Sequence, residues 1–292
     1  MSSACDSCPH ASGCTSQNSC PSVKAEIKNS AVPGIEPLGG DSKITTVIGV
    51  ASGKGGVGKS FVTSMLAVEL MRKGYKVGIL DADVTGPSIP RAFGLTERLL
   101  SNEENRIMPV STKGGIKAVS LNLIMDDEEA PVVWRGPVIS GLVKQFWTDV
   151  DWGTLDVLLI DMPPGTGDVP LTVFQSIPID GLVLVSTPQD LVSMIVGKAR
   201  NMARMMNINV LGVVENMSYT ICPHCGEKLP LWGSDDTLAQ SSGEAGLVIL
   251  DKLPLDAKMM TLVDSGKAEG VNGDLLTNTI SRIEGLLTSG NK

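Results

Sequence analysis

Two hydrophobic patterns alternate along the chain from Lys43 onward. ITTVIGVAS, KVGILDAD, LDVLLIDMP and GLVLVSTP are short, nearly continuous apolar runs, the pattern of parallel strands buried on both faces. GGIKAVSL, INVLGVVENM and LVILDKLPLD read as further strands. Between them, FVTSMLAVELMRKG, GPVISGLVKQFWTDV, QDLVSMIVGKARNMARMM and DLLTNTISRIEGLLTSG carry apolar residues at helical spacing. The first is stopped by Gly74 and the second opened by Gly136 and Pro137. Strand–helix alternation over this length predicts an α/β fold: one doubly wound, mainly parallel sheet. Residues 1–42 have no such period. They are rich in Ser, Pro, Gly and Cys, and Pro33, Pro37, Gly39 and Gly40 make AVPGIEPLGGDS linker chemistry. The expected organisation is therefore an N-terminal Cys-rich arm and linker, 1–42, without fixed structure unless it holds metal, and one folded domain, 43–292.

Composition narrows the possibilities. With 42% hydrophobic residues in 292, the chain can build a full core without disulfides. A net charge of −8 argues against a surface made to neutralise nucleic-acid phosphates or to cling to anionic lipid. No apolar run has the length of a membrane span, and MSSACDSCPH has no secretory pattern. The expectation is a cytoplasmic protein with no nucleic-acid or membrane partner. In a reducing compartment, clustered cysteines point to metal or redox chemistry.

The sharpest motif follows the first strand. Gly53, Gly58, Lys59 and Ser60 complete G-x-x-x-x-G-K-S within GKGGVGKS. In such a loop the backbone N–H groups wrap phosphates, the lysine reaches the terminal phosphate oxygens, and the hydroxyl holds Mg²⁺. Side chains at Gly55, Gly56 or Gly58 would obstruct that approach. Val57 and Phe61, with Lys54, complete the predicted nucleotide-binding stretch. Acids close the strands that follow: Asp81 and Asp83 in KVGILDAD, and Asp161 in LDVLLIDMP. Carboxylates at the C-terminal edge of a parallel sheet face the ligand crevice. Asp161 reads as an acid orienting Mg²⁺ through water. Asp83 reads as the group that orients or activates the attacking water, or alternatively as a turn cap. Asp81 supports the loop or the ligand.

The six cysteines fall into two sets. Cys222 and Cys225 form C-x2-C between Pro223 and Gly226, two thiolates able to chelate one metal from one turn. A tetrahedral or cluster site takes four, and spacing does not separate zinc from iron–sulfur. A redox disulfide is a further reading. Cys5, Cys8, Cys14 and Cys20 form C-x2-C-x5-C-x5-C, a second metal site of cluster or zinc type. Met202, Met205 and Met206 read as core packing, and Trp134 with Arg135 as residues lining an interface.

Lys54 in KGGVGKS gives the loop a second lysine and makes it resemble the deviant Walker A motif of the MinD/ParA/nitrogenase-iron-protein group of P-loop ATPases. Within that group VASGKGGVGKS, ILDADVTGPSIP, VVWRGP, DVLLIDMPPGTGD, STPQDLV, VVENMSY and CPHCG resemble the Mrp/ApbC/Nbp branch of iron–sulfur cluster carriers. The matches run in order through nearly the whole folded part. The resemblance implies ATP and Mg²⁺ as cofactors and a homodimer in which Lys54 reaches the partner's phosphates. It implies that Asp83 lies in switch I, that Asp161 and Gly165 lie in switch II, and that Asn216 reads the adenine with Pro254 nearby. It also implies that the Cys222/Cys225 pairs of two subunits bridge one labile 4Fe–4S cluster, which is passed to apo iron–sulfur proteins under slow ATP hydrolysis. Cys5, Cys8 and Cys14 match the N-terminal cluster motif of the Nbp subfamily. That subfamily's fourth cysteine lies upstream, whereas only four residues precede Cys5 here, leaving Cys20 or His10 as the substitute. The rival readings are a redox ATPase like the nitrogenase iron protein, whose ligand cysteines are single, and a positioning ATPase of MinD or ParA type. The weakly charged tail TNTISRIEGLLTSGNK and the acidic balance speak against the latter.

Overall fold

The computed structural model describes residues 34–83, 88–124, 136–165, 167–188, 197, 201, 207–232 and 246–290. The chain divides into two compact units, Met1–Ile35 and Glu36–Lys292. Of the first, only Gly34 and Ile35 are described, so Cys5, Cys8, Cys14 and Cys20 lie outside the described residues, as do Trp134, Arg135 and the three clustered methionines.

In the second unit the elements run β1 (Lys43–Ser52), α1 (Lys59–Arg72), β2 (Val77–Asp81), α2 (Ile89–Phe93), the short β3 (Leu100–Ser101), β4 (Ile107–Met108) and β5 (Val110–Ser111), then β6 (Lys117–Ser120) and α3 (Gly136–Thr148). They continue as β7 (Thr154–Asp161), α4 (Asp168–Ser176), β8 (Gly181–Ser186), β9 (Val210–Ile221), β10 (Lys228–Pro230), β11 (Ile249–Pro254), α5 (Ala257–Asp264) and α6 (Thr277–Gly290). Among the described residues, a nine-stranded sheet has the order β10-β9-β8-β1-β7-β2-β6-β5, with β11 also pairing β9. The central pairs are parallel, as the apolar runs predict, while β5 and β10 add antiparallel edges. The helix expected over QDLVSMIVGKARNMARMM falls almost wholly outside the described residues. Among those residues no helix is long and apolar enough to cross a membrane.

Alternation along the central strands divides the core in two. Ile48 and Val50 of β1, with Val157 and Leu159 of β7, pack with α1, α2 and α6; Val47, Ala51, Leu158 and Ile160 face α3 and α4. α1 is enclosed on most sides, with Met65, Leu66 and Leu70 at 1% exposure or less. Even its Glu69 is buried, accepting from the backbone N–H groups of Leu275 (2.8 Å) and Leu276 (3.3 Å). Burial pushes that carboxyl above its ordinary range, opposed by the two amides. The last residues of the expected linker lie against the body. Glu36 donates its N–H to the Ser176 carbonyl (2.8 Å) and accepts at its own carbonyl from Trp147 Nε1 (2.9 Å), and Leu38 packs on the second core.

β1 lies between β7 and β8, so the loop leaving its C-terminal end enters the crevice where the sheet's connections diverge.

Candidate functional site

The loop predicted to hold phosphates runs from the end of β1 into the first turn of α1, so the N-terminus of a 14-residue helix points into the crevice. Gly58 sits at φ +81°, and a Cβ there would lie 2.1 Å from Asn216 Nδ2. Only glycine meets both demands. Asn216, just past the stretch of β9 that pairs with β8, donates Nδ2–H to the Val57 carbonyl (2.9 Å) and is buried. The loop is therefore clamped from a strand two places away in the sheet. A Cβ added at Gly56 would meet nothing within 4 Å, and one at Gly55 only Pro164 Cγ at 3.9 Å. That side of the loop is open.

The strand-end acids converge on Lys59. Its ammonium is 2.7 Å from Asp161 Oδ1 and 3.4 Å from Asp83 Oδ2, with lysine and both acids buried. Ser60 donates its hydroxyl to Asp161 Oδ2 (2.6 Å), and Thr63 donates to Oδ1 (2.9 Å). Thr63 carries no sequence signal beyond its place one turn after Lys59. Asp81 lies beside Asp161 across the β2–β7 register. It accepts from the Asp83 N–H (3.1 Å) and the Ser120 hydroxyl (3.0 Å). Burial first, and then the Asp161 charge, push its carboxyl well above the usual range despite Lys59. Asp81 is thus a support that holds Asp83. Hydroxyl and carboxylate oxygens from Ser60, Asp161 and Asp83 gathered at one edge form the donor set a hard divalent cation takes.

A cleft of about 460 Å³ opens over this cluster, lined by Gly55, Gly56, Gly58, Lys59, Ser60, Phe61, Asp83 and, farther out, residues of α2 and α5. A narrower pocket adjoins it, where Asn216, Met217, Pro254 and Asp256 meet Phe61. Each predicted nucleotide residue from the loop, Asp83, Asp161, Asn216 and Pro254 therefore lies along one connected edge of the sheet. Lys54 is exposed in the loop, its carbonyl accepting from Ser52 Oγ (2.9 Å). Gly165 follows Asp161 at φ +87° and donates its N–H to the Ser52 carbonyl (2.9 Å), which ties the second acid's loop to the first strand.

The cysteine pair stands apart. β9 continues past Asn216 to Ile221, and β10 returns with Ile221 opposite Lys228 and Tyr219 opposite Pro230. The tip closes through Cys222 N–H to the Glu227 carbonyl and Gly226 N–H to the Cys222 carbonyl, both 2.9 Å, with Gly226 at φ +74°. Inside this turn the backbone N–H groups of Cys225 and His224 point at Cys222 Sγ and lower its pKa. The turn is built to favour a thiolate. His224 contributes its backbone here. Cys222 is half-buried, Cys225 exposed, and both are free thiols. Among the described residues no group of three or more His, Cys, Asp or Glu is arranged to hold a metal. This pair supplies two ligands only.

A family model described as the NUBPL iron-transfer P-loop NTPase matches residues 43–283. The iron-sulfur cluster carrier protein of Clostridium perfringens is 50% identical over 233 residues, 77% of this chain and 81% of that one. The protein of the same name from Methanocaldococcus jannaschii is 43% identical over 263 residues, covering 90% and 87%. The cytosolic Fe-S cluster assembly factor CFD1 of Kluyveromyces lactis is 44% identical over 228 residues, covering 76% and 80%. Among solved structures, a nucleotide-binding protein of Archaeoglobus fulgidus in complex with ADP superposes with a TM-score of 0.71 at 43% identity, covering 80% of this chain and 90% of that one. The cell-division ATPase MinD of Pyrococcus furiosus shares the fold at 18% identity, with a TM-score of 0.59 and coverage of 84% and 99%.

Proposed function

Because the chain belongs to the NUBPL-type iron-transfer P-loop NTPase family, we propose that it is an ATP-binding carrier that holds a labile 4Fe–4S cluster between two copies of itself and hands it to apo iron–sulfur proteins. The observation that carries this reading is a pairing on one strand. β9 brings Asn216 to the phosphate loop and, six residues on, Cys222 to an exposed turn built for a thiolate.

At the nucleotide end, the phosphate-loop amides and Lys59 take the phosphates, and Asn216 with Pro254 borders the base. Bound Mg²⁺ would neutralise phosphate charge, held by Ser60 Oγ and, through water, by Asp161. Asp83 lies 3.4 Å from Lys59 on a loop pinned by Asp81, a position suited to orienting water toward the terminal phosphate. Lys54, exposed in the loop, would reach a partner subunit's phosphates. Hydrolysis is slow and serves to gate the dimer.

At the cargo end, two thiolates leave two cluster positions unfilled, and the same pair from a second copy fills them across a two-fold axis. Cys222 follows Asn216 by six residues on β9 and its turn, so nucleotide-dependent change in how two copies meet is felt where the cargo is held. Exposure of Cys225 lets an acceptor's thiolate compete for the iron. The N-terminal cysteines, Cys5, Cys8, Cys14 and Cys20, would form a second cluster or zinc site in the Cys-rich stretch ahead of the ATPase domain. The relative from Kluyveromyces lactis is named a cytosolic factor, which supports a cytoplasmic location.

Anaerobic reconstitution with iron and sulfide tests the reading. The full chain is expected to double in mass in solution and to give about two iron atoms per chain that depend on the pair, as a shared Cys₄ cluster requires. The double variant Cys222→Ala/Cys225→Ala should lose that iron, the mass increase and donation to an apo-ferredoxin. A double variant that still bound and donated a cluster would end the proposal.

A further inference from the structure

Away from the phosphate loop, the cleft is lined by two helices that the roles above leave unused. α2 contributes Arg91 and Ala92; α5 contributes Met260, Val263 and Asp264. The two helices lock together at their C-terminal ends through a pair of glycines, Gly94 at φ +65° and Gly266 at φ +75°. A Cβ on Gly266 would lie 2.7 Å from Gly94 Cα, and one on Gly94 would lie 3.0 Å from the Gly266 carbonyl oxygen. Ile89, Ala92 and Phe93 are buried beneath. Arg91 and Asp264 therefore stand on a fixed base.

Both are exposed and both line the cleft. Among the described residues, neither charged group makes a hydrogen bond or an ion pair, with the other or with any other residue. Opposite charges sharing one concavity without pairing suit a ligand that carries both complements. A nucleotide does: its phosphates accept from a guanidinium, and its ribose hydroxyls donate to a carboxylate. The excess of acid around Lys59, where Asp83 and Asp161 both lean on one ammonium, leaves room for a second cation toward the phosphates.

Resting on the nucleotide reading above, we propose that Arg91 and Asp264 are specificity residues for the nucleotide, Arg91 binding a phosphate oxygen and Asp264 the ribose hydroxyls. The pair makes the α2–α5 wall a reader of sugar and phosphate, complementary to the Asn216–Pro254 side.

Calorimetric titration of the full chain tests this with three probes: ADP, 2′,3′-dideoxy-ADP and inorganic pyrophosphate. Arg91→Gln should weaken ADP and pyrophosphate about tenfold, Arg91→Lys should recover part of that loss, and the thermal midpoint should not move. Asp264→Ala should abolish the wild-type preference for ADP over the dideoxy analogue while leaving pyrophosphate affinity alone. An Arg91→Gln chain within twofold of wild type for both phosphates, or an Asp264→Ala chain that kept the ribose preference, would overturn the assignment. Unaltered variants beside a wild type that binds ADP sink this wall alone; a wild type that binds no ADP sinks the nucleotide reading with it.

Discussion

The phosphate-loop site and the cysteine turn are built on opposite principles, although one strand joins them. At the first, Lys59, Asp81 and Asp161 are all at most 5% exposed, and side chains hold one another and the loop: Ser60 and Thr63 on Asp161, Ser120 on Asp81, Asn216 on Val57. Charges in such a setting interact strongly and tolerate no missing partner. At the second, everything from Pro223 to Pro230 is exposed, and the turn is held by its own backbone. The buried site fixes geometry. The exposed turn lowers the pKa of a thiol and leaves both cysteines within reach of a partner.

That contrast can be broken at either end. The largest effect is expected at Lys59: Lys59→Ala should lower ATP turnover by at least about a hundredfold. It should also destabilise the fold by about 3–5 kcal/mol, because it strands buried acids; hydrolysis assays and denaturant titration check both. Cys222→Ser with Cys225→Ser should be the reverse case, losing all pair-dependent iron on reconstitution while the thermal midpoint and ADP affinity stay unchanged. A large drop in midpoint would mean that the turn is structural after all. Between them lies Asn216→Ala, which leaves the Val57 carbonyl without its partner. It is expected to cost about 1–3 kcal/mol of stability and to weaken ADP binding in calorimetry, with iron loading retained.

The smallest effect concerns Glu69, behind the phosphate loop on α1. Its folded pKa is raised by burial, so its stabilising contribution is present in full below the unfolded value near 4.5 and is lost as pH rises through the folded value. Glu69→Gln does not titrate. Its thermal midpoint relative to wild type should therefore climb from pH 4 to pH 7, and a constant difference would show that the raised value is wrong.

Legibility from sequence followed the same divide. The positions of the loop, Asp83 and Asp161 were readable because a buried parallel strand is a nearly continuous apolar run that gives way to an acid or a glycine, as at Asp161 after LLI and Gly53 after VIGVAS. α2 and α5 were not, since IPRAF is too short to show a period and AKMMTLVD is marked mainly by Asp256, which caps it by accepting from Lys258 and Met259. β9 reads as ending at Met217, but it runs on to Ile221. Its last residues, Tyr219 to Ile221, are held by β10, a partner of three residues too polar and brief to announce itself. The link between Asn216 and the loop was invisible because it depends on Gly58 leaving room for an amide that lies 158 positions away in the chain.

β9 has a mechanical consequence. From Val213 to Glu215 it is bonded on both sides, to β8 and to β11; from Tyr219 on it is held by β10, with β11 touching only at Tyr219. It is built as a cantilever, paired on both sides at its root and chiefly by a three-residue strand at its tip. A small rotation at the root, where Asn216 touches the loop, would be carried along it to the two thiols.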